Sequence, residues 1–378
     1  NSTFCAGHVI PLDMARFVFP TPLMSPSFAP GSGDIAPEVL AAQARPALPC
    51  PGGELDALLQ SLAERMQPLL GTARPVYFLG SSASGLMEAA VRNLVDGGLL
   101  VGVGGPAGER WARVAAGCGR TVERLEVDWG EAISAEKLAA ALQAQPFQAV
   151  ALTHHETATG TLNPVAELAE AVRQASPDTL ILVDASSSLG GLPVEMDAWG
   201  ADFVLGVSQH ALNAPPGLGI FSVSARALER AAQVAGRGWY FDLLTLERQR
   251  LRDQTQDCPP LGLLYALDVQ LDRMQAEGLT LRWARHAALA QRLREWAENR
   301  GMPLLAPAAA QSPLVSCLQN RLGLDGSALN RYLQPRGLRV GQGVGMLRDR
   351  TLRVAHGGEL QMHDLEALLN ALDAFLTQ

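Results

Sequence analysis

Short apolar runs recur along the chain, each closed by glycine, proline, serine or a charged residue. They cover Val76–Leu79, Leu99–Val103, Ala149–Thr153, Leu180–Val183, Phe203–Val207 and Leu218–Val223, and the more polar Val122–Val127 is a further strand. Runs this short and this continuously apolar read as strands buried on both faces. Between them lie stretches with apolar residues three and four apart. Leu55, Leu58, Leu59, Leu62 and Met66 mark one face of a helix over 54–70. Helices are predicted in the same way over 86–95, 135–142, 165–175 and 225–235. Strand alternating with helix implies an α/β fold, a mostly parallel sheet with helices on both faces. Two longer helical patterns follow, 261–274 and 281–296. Beyond them, strands at 314–318 and 352–355 alternate with helices at 327–333 and 363–376, the pattern of a smaller α/β unit. This divides the chain into an arm (1–37), a large domain (38–260), linking helices (261–300) and a small domain (301–378).

In an open α/β sheet, chemistry collects at the carboxyl ends of the strands. The run 180–183 ends in Asp184, and the run 203–207 ends in Ser208-Gln209-His210. The run 76–79 opens into Gly80-Ser81-Ser82-Ala83-Ser84-Gly85 and then a helix. A turn of small residues at a helix start offers free N–H groups and the positive dipole end to an anion, or serves as a plain N-cap. Gly102, Gly104 and Ala107 fit the dinucleotide pattern G-x-G-x-x-A. That motif sits on the second strand, however, and no acid-ended strand follows at the spacing of a ribose contact. The run 149–153 ends in His154-His155-Glu156-Thr157. Neighbours on an extended chain point to opposite sides and H-E-x-x-H spacing is missing, so no metal site is expected. The glycine-rich stretch 341–345 reads as a flexible loop.

The segments LVDASSSLGG, DAWGADF and SQHALNAPPGLG resemble the class V aminotransferases, pyridoxal-phosphate enzymes of fold type I, in particular their alanine–glyoxylate and serine–pyruvate branch. The likeness runs from about residue 50 to the end and is densest over 152–219. It implies a cofactor, pyridoxal phosphate or pyridoxamine phosphate, with Asp184 on the pyridine nitrogen and Ser82, Ala83 and Ser84 at the phosphate. It implies further cofactor contacts from Thr157, Ser186 and Gln209, and an arginine clamp on the substrate carboxylate, Arg353. It also implies small amino-acid and oxo-acid substrates and a homodimer, with the arm over the active site.

Three positions depart from the family pattern. His210 stands where the family has the lysine of the Schiff base, and an imidazole cannot form that bond. Ala107 replaces the aromatic that stacks on the pyridine ring. Cys258 replaces a threonine that reaches the partner's phosphate, and a thiol is a weak donor. Any cofactor is therefore expected to be non-covalent. The chain's single lysine, Lys137, falls on a predicted amphipathic helix, remote from these motifs. Two readings follow. One is an aminotransferase-like protein in which His210 acts as an acid–base group on pre-formed pyridoxamine phosphate and Asp184 holds the ring nitrogen. The other is a non-catalytic homologue, a binding or assembly protein that kept the fold. A deliberate exchange at position 210 is a third.

Composition narrows this further. A chain of 378 residues, 48% apolar and 18% charged, suits a soluble globular protein. A net charge of −8 argues against nucleic-acid binding by the bulk surface. No apolar run approaches the roughly 18 residues of a membrane span, so no membrane partner is expected. Cys5, Cys50, Cys118, Cys258 and Cys317 are odd in number and lack a CxxC pair, which reads as reduced cysteines of a cytoplasmic protein. The first dozen residues lack a basic leader with a cleavable apolar core, so no signal peptide is expected.

Overall fold

The computed structural model describes residues 26–31, 33–252 and 258–377. Most of the expected arm, with Cys5 and the stretch Phe19–Pro22, lies outside them, as do residues 253–257. In chain order the strands are β1 (Ser27–Phe28), β2 (Val76–Gly80), β3 (Gly98–Val103), β4 (Thr121–Glu126) and β5 (Ala149–Thr153). A small hairpin follows, β6 (His155–Glu156) and β7 (Thr161–Leu162), then β8 (Leu180–Asp184), β9 (Phe203–Val207) and β10 (Leu218–Val223). The last three are β11 (Val315–Gln319), β12 (Arg339–Gln342) and β13 (Thr351–Ala355).

Seven strands form the large sheet in the order β2-β10-β9-β8-β5-β3-β4. All run parallel except β10, which is antiparallel to both its neighbours. The continuous apolar runs are explained by alternation across this sheet. Val150, Leu152, Ile181, Val183 and Val204 face one core, with the helix Gly53–Leu70 and its Leu55, Leu62 and Met66. Ala149, Ala151, Leu180, Leu182, Phe203 and Leu205 face the other, with Leu86 and Met87 of one helix and Trp111 of the next. Both faces being covered, every second residue is as apolar as the one between. The edge strand β4 is the exception. It exposes Glu123, Arg124 and Glu126, charges that discourage edge-to-edge pairing.

The second sheet has the order β1-β12-β13-β11. Its core is made with the helices Leu279–Glu298, Gly326–Leu333 and Met362–Leu376. The sequence reading overextended one helix: 225–235 forms only over Ala225–Ala231. It also took 341–345 for a loop, whereas Gly341 and Gln342 end β12. The glycine there serves close packing, since a Cβ on Gly341 would lie 2.6 Å from Pro30 of the segment that crosses it. No helix among the described residues is long and apolar enough to cross a membrane.

Candidate active site

The carboxyl ends of β2, β5, β8 and β9 share one edge of the large sheet. Asp184 closes β8 and is 4% exposed. One of its oxygens accepts the Ser186 N–H at 2.8 Å. Burial raises its pKa, while the bonds from Ser186 and the charge of Arg110 work the other way. The strand beside it, β5, pairs Thr153 with Asp184 and leads directly into the β6–β7 hairpin. That hairpin carries His155 and Glu156, both buried, with half-buried Thr157 at its turn.

Glu156 reaches across to the next motif. It accepts the backbone N–H groups of Ala107 at 2.8 Å and Ala158 at 3.0 Å. Ala107 lies in the first turn of the helix Pro106–Gly117, so the carboxylate sits on that helix's positive end. Gly105 gives it room, since a Cβ there would come within 2.6 Å of the Glu156 carboxyl carbon. Burial raises the Glu156 pKa, against the pull of those two N–H groups.

His210 follows β9 and opens a 3₁₀ turn, His210–Leu212. Its φ is +63°, the left-handed region that is uncommon outside glycine and is adopted more often by Asn, Asp and His than by other side chains. The turn is held by others. Asn213, also left-handed, donates its backbone N–H to the His210 carbonyl at 3.0 Å and its side-chain amide to the Asp34 carbonyl at 2.8 Å. Arg282, fully buried, donates to the Ala211 carbonyl at 3.0 Å and to Glu359 at 2.9 Å, tying the turn to the small-sheet side. The His210 imidazole makes no hydrogen bond among the described residues. Burial, with the nearby charge of Arg110, lowers its pKa to about 4, so it is neutral at pH 7. Gln209 beside it buries its side-chain oxygen without a partner.

The Ser82-Ala83-Ser84 turn begins the helix Ala83–Leu94, with Ser82 as an extended N-cap whose hydroxyl does not cap it. The N–H groups of Ala83, Ser84 and Gly85 have no acceptor among the described residues, as the first turn of an uncapped helix requires. The turn is fixed to the loop after His210 by the Ser81 N–H on the Gly217 carbonyl, 2.9 Å. Arg353, on β13, is half-buried. It donates from Nε to the Gln342 carbonyl at 2.8 Å and from Nη1 to the Thr157 carbonyl at 3.2 Å. Asp184, Ser186, Gln209, His210, Thr157, Ala107 and Arg353 are thus linked by neighbouring segments. Cys258 is exposed and lies just after the undescribed 253–257. Lys137 is exposed on the helix Ala135–Ala144.

Sequence reasoning missed two residues. Arg110 is one turn beyond Ala107 on the same helix, and its charge acts on Asp184, Glu156 and His210. His155 lines, with Thr157, Ser187, His210 and Asn213, a cavity of about 170 Å³ bounded also by Pro30, Gly31, Asp34, Gly357 and Leu360.

A seven-stranded, mostly parallel sheet with a buried carboxylate and an uncapped helix start at its edge, and a second smaller sheet, is the architecture of the fold type I pyridoxal-phosphate enzymes. Residues 99–356 match the family model for aminotransferase class V, and the chain belongs to that family. It is 30% identical over 355 residues to a soluble hydrogenase small subunit of Synechococcus sp., covering 92% of each chain. In structure it is similar to alanine–glyoxylate aminotransferase from Nostoc sp., with TM-score 0.88 and 30% identity over 97% of this chain and 100% of that one. It is also similar to pyridoxamine–pyruvate aminotransferase from Mesorhizobium loti, with TM-score 0.86 and 27% identity over 93% and 92%.

Proposed function

We propose that this protein binds a pyridoxal-type phosphate without a covalent bond and does not use the family's lysine route of amino transfer. The observation that carries this is the neutral, unbonded imidazole of His210 at the reactive turn of a chain whose only lysine, Lys137, is exposed on a distant motif. The other contacts fit the cofactor. The unpaired N–H groups of Ala83, Ser84 and Gly85 would take the phosphate, and the buried carboxylate of Asp184 the protonated ring nitrogen. The unpartnered oxygen of Gln209 supports a ligand over the turn. When bound, the pyridine ring supplies an electron sink.

The chain's own groups then have distinct tasks. Asp184 supplies a carboxyl group fixed in place by the Ser186 N–H, the partner for a ring nitrogen. Arg353 presents a planar donor set to a substrate carboxylate, its remaining bonds anchoring it to Thr157 and Gln342. His210 is in its unprotonated form at pH 7, the form a general base needs. This supports a second reading, slow amino transfer from pyridoxamine phosphate to a small oxo acid with His210 as the base. Titration with pyridoxal phosphate, followed by borohydride reduction and peptide mass mapping, tests the proposal. Saturable binding with no modified peptide is expected; a stoichiometric adduct on Lys137, or no binding, overturns it. A pyridoxamine phosphate spectrum that changes on adding glyoxylate, and does not in His210→Ala, favours the second reading.

A further inference from the structure

Arg282 is 0% exposed, and its guanidinium joins two turns at the edge of the cleft. Nε donates to the Gly190 carbonyl at 3.2 Å and Nη2 to the Ala211 carbonyl at 3.0 Å. Nη1 donates to Glu277 and to Glu359, each at 2.9 Å. A guanidinium carries five N–H groups in one rigid plane, so these bonds set the spacing of the two carbonyls as well as holding each. The turns are also pressed together. A Cβ on Gly190 would lie 2.7 Å from the Leu212 side chain, and one on Gly191 would lie 2.5 Å from the Ala211 Cβ.

Ala211 follows His210 directly in the 3₁₀ turn. The His210 imidazole makes no hydrogen bond among the described residues, so only this turn and its packing direct the ring. On the other side of the guanidinium, Glu359 accepts from Gln270 at 2.9 Å and from Arg273 at 3.0 Å. Glu359 also borders the cavity that His210 lines. A continuous set of bonds therefore runs from the cavity wall through Glu359 and Arg282 to the backbone that carries the imidazole.

We propose that Arg282 is the positioning residue of position 210, and that its bond to Glu359 makes the direction of the imidazole depend on the placement of the cavity wall. The inference rests on the reading of position 210 as the reactive position, and adds the group that aims it.

Nuclear magnetic resonance of the His210 and His356 ring signals, in cofactor-free protein titrated from pH 7.5 to 5.5, tests this. Burial, with the charge of Arg110, lowers the native His210 pKa to about 4, so its signal should barely move in that range. Two variants separate aiming from charge. Arg282→Lys keeps the charge but replaces the planar fork with donors from a single nitrogen, and Glu359→Leu removes a negative charge. If Arg282 aims the turn, each variant frees the imidazole towards water. Its pKa should then rise in both, by about one unit or more towards the ordinary value near 6.5. A purely electrostatic role leaves it unchanged in Arg282→Lys and lowers it in Glu359→Leu. Either of those results overturns the proposal, as does an equal rise at His356, the mark of general loosening. If Glu359→Leu does not fold, Arg282→Lys decides alone. The titration needs no cofactor, so failure to bind pyridoxal phosphate overturns the proposed function and leaves this result standing.

Discussion

Acidification from pH 7.5 to 5.5 should destabilise the fold through its buried histidines. His154, His155 and His356 are 6%, 2% and 0% exposed, and burial lowers their pKa values to about 4, 3 and 3. Their bonds suit the neutral ring. In His356, Nδ1 lies 2.7 Å from the Pro313 carbonyl and Nε2 3.0 Å from the Ser316 hydroxyl, one bond given and one accepted. A histidine whose folded value lies below its unfolded one loses stability as pH falls through about 6.5, because the unfolded chain takes up the proton and the native one does not. At pH 5.5 the loss is about 1.4 kcal/mol for each such residue, or about 4 kcal/mol for the three, a large share of the roughly 5–15 kcal/mol by which proteins are stable. At the usual unfolding entropy per residue this is about 5 °C in Tm. His286 contributes less, since carbonyls of Gly191 and Gly358 face both its nitrogens and its charged form satisfies both. Asp184 and Glu156 act in the opposite sense. Their raised values favour the protonated native form, so they regain stability as pH falls. His356→Gln isolates the effect from them. Denaturant unfolding followed by circular dichroism should show this variant losing about 1.4 kcal/mol less stability between pH 7.5 and 5.5 than the native protein. An unchanged slope in His356→Gln refutes the reasoning.

Restoring the two lost cofactor contacts, with His210→Lys and Ala107→Phe together, should give a coloured protein on adding pyridoxal phosphate. A stacked aromatic contributes roughly 0.5–1.5 kcal/mol, so the Phe should tighten the cofactor about 2- to 13-fold over His210→Lys alone; a double variant that stays colourless removes the reading of an eroded aminotransferase site. Light scattering should find a homodimer, as the resemblance implies and as the 77% exposure of Trp239 and 66% of Leu251 in this chain support; a monomer at micromolar concentration refutes it.

The long elements were legible because their signals are local. Each buried strand of the large sheet is a continuous apolar run, and each covering helix has its 3.6-residue stripe. The strands that went unread are short: β1, β6 and β7 have two residues each and β12 four, too few for any period to register. Asp184, Gln209 and His210 stood out as polar ends of apolar runs. His155 did not, because its neighbour His154 looked equivalent; only the hairpin decides which imidazole enters the cleft. Arg110 escaped for a similar reason. Its influence on Asp184 depends on how the helix Pro106–Gly117 leans over the sheet, which no window of sequence contains.

The turn at position 210 behaves as a socket. Its backbone is shaped by Asn213, by the Ser208 N–H on the Leu218 carbonyl and by Arg282 on the Ala211 carbonyl, while the side chain at 210 makes no hydrogen bond among the described residues. The left-handed backbone there is set by these neighbours and not by a bond from the side chain. An exchange of amine for imidazole therefore leaves the scaffold where it was. A lineage could gain or lose the reactive group without first losing a folded protein, and the record of that exchange would be confined to the pocket.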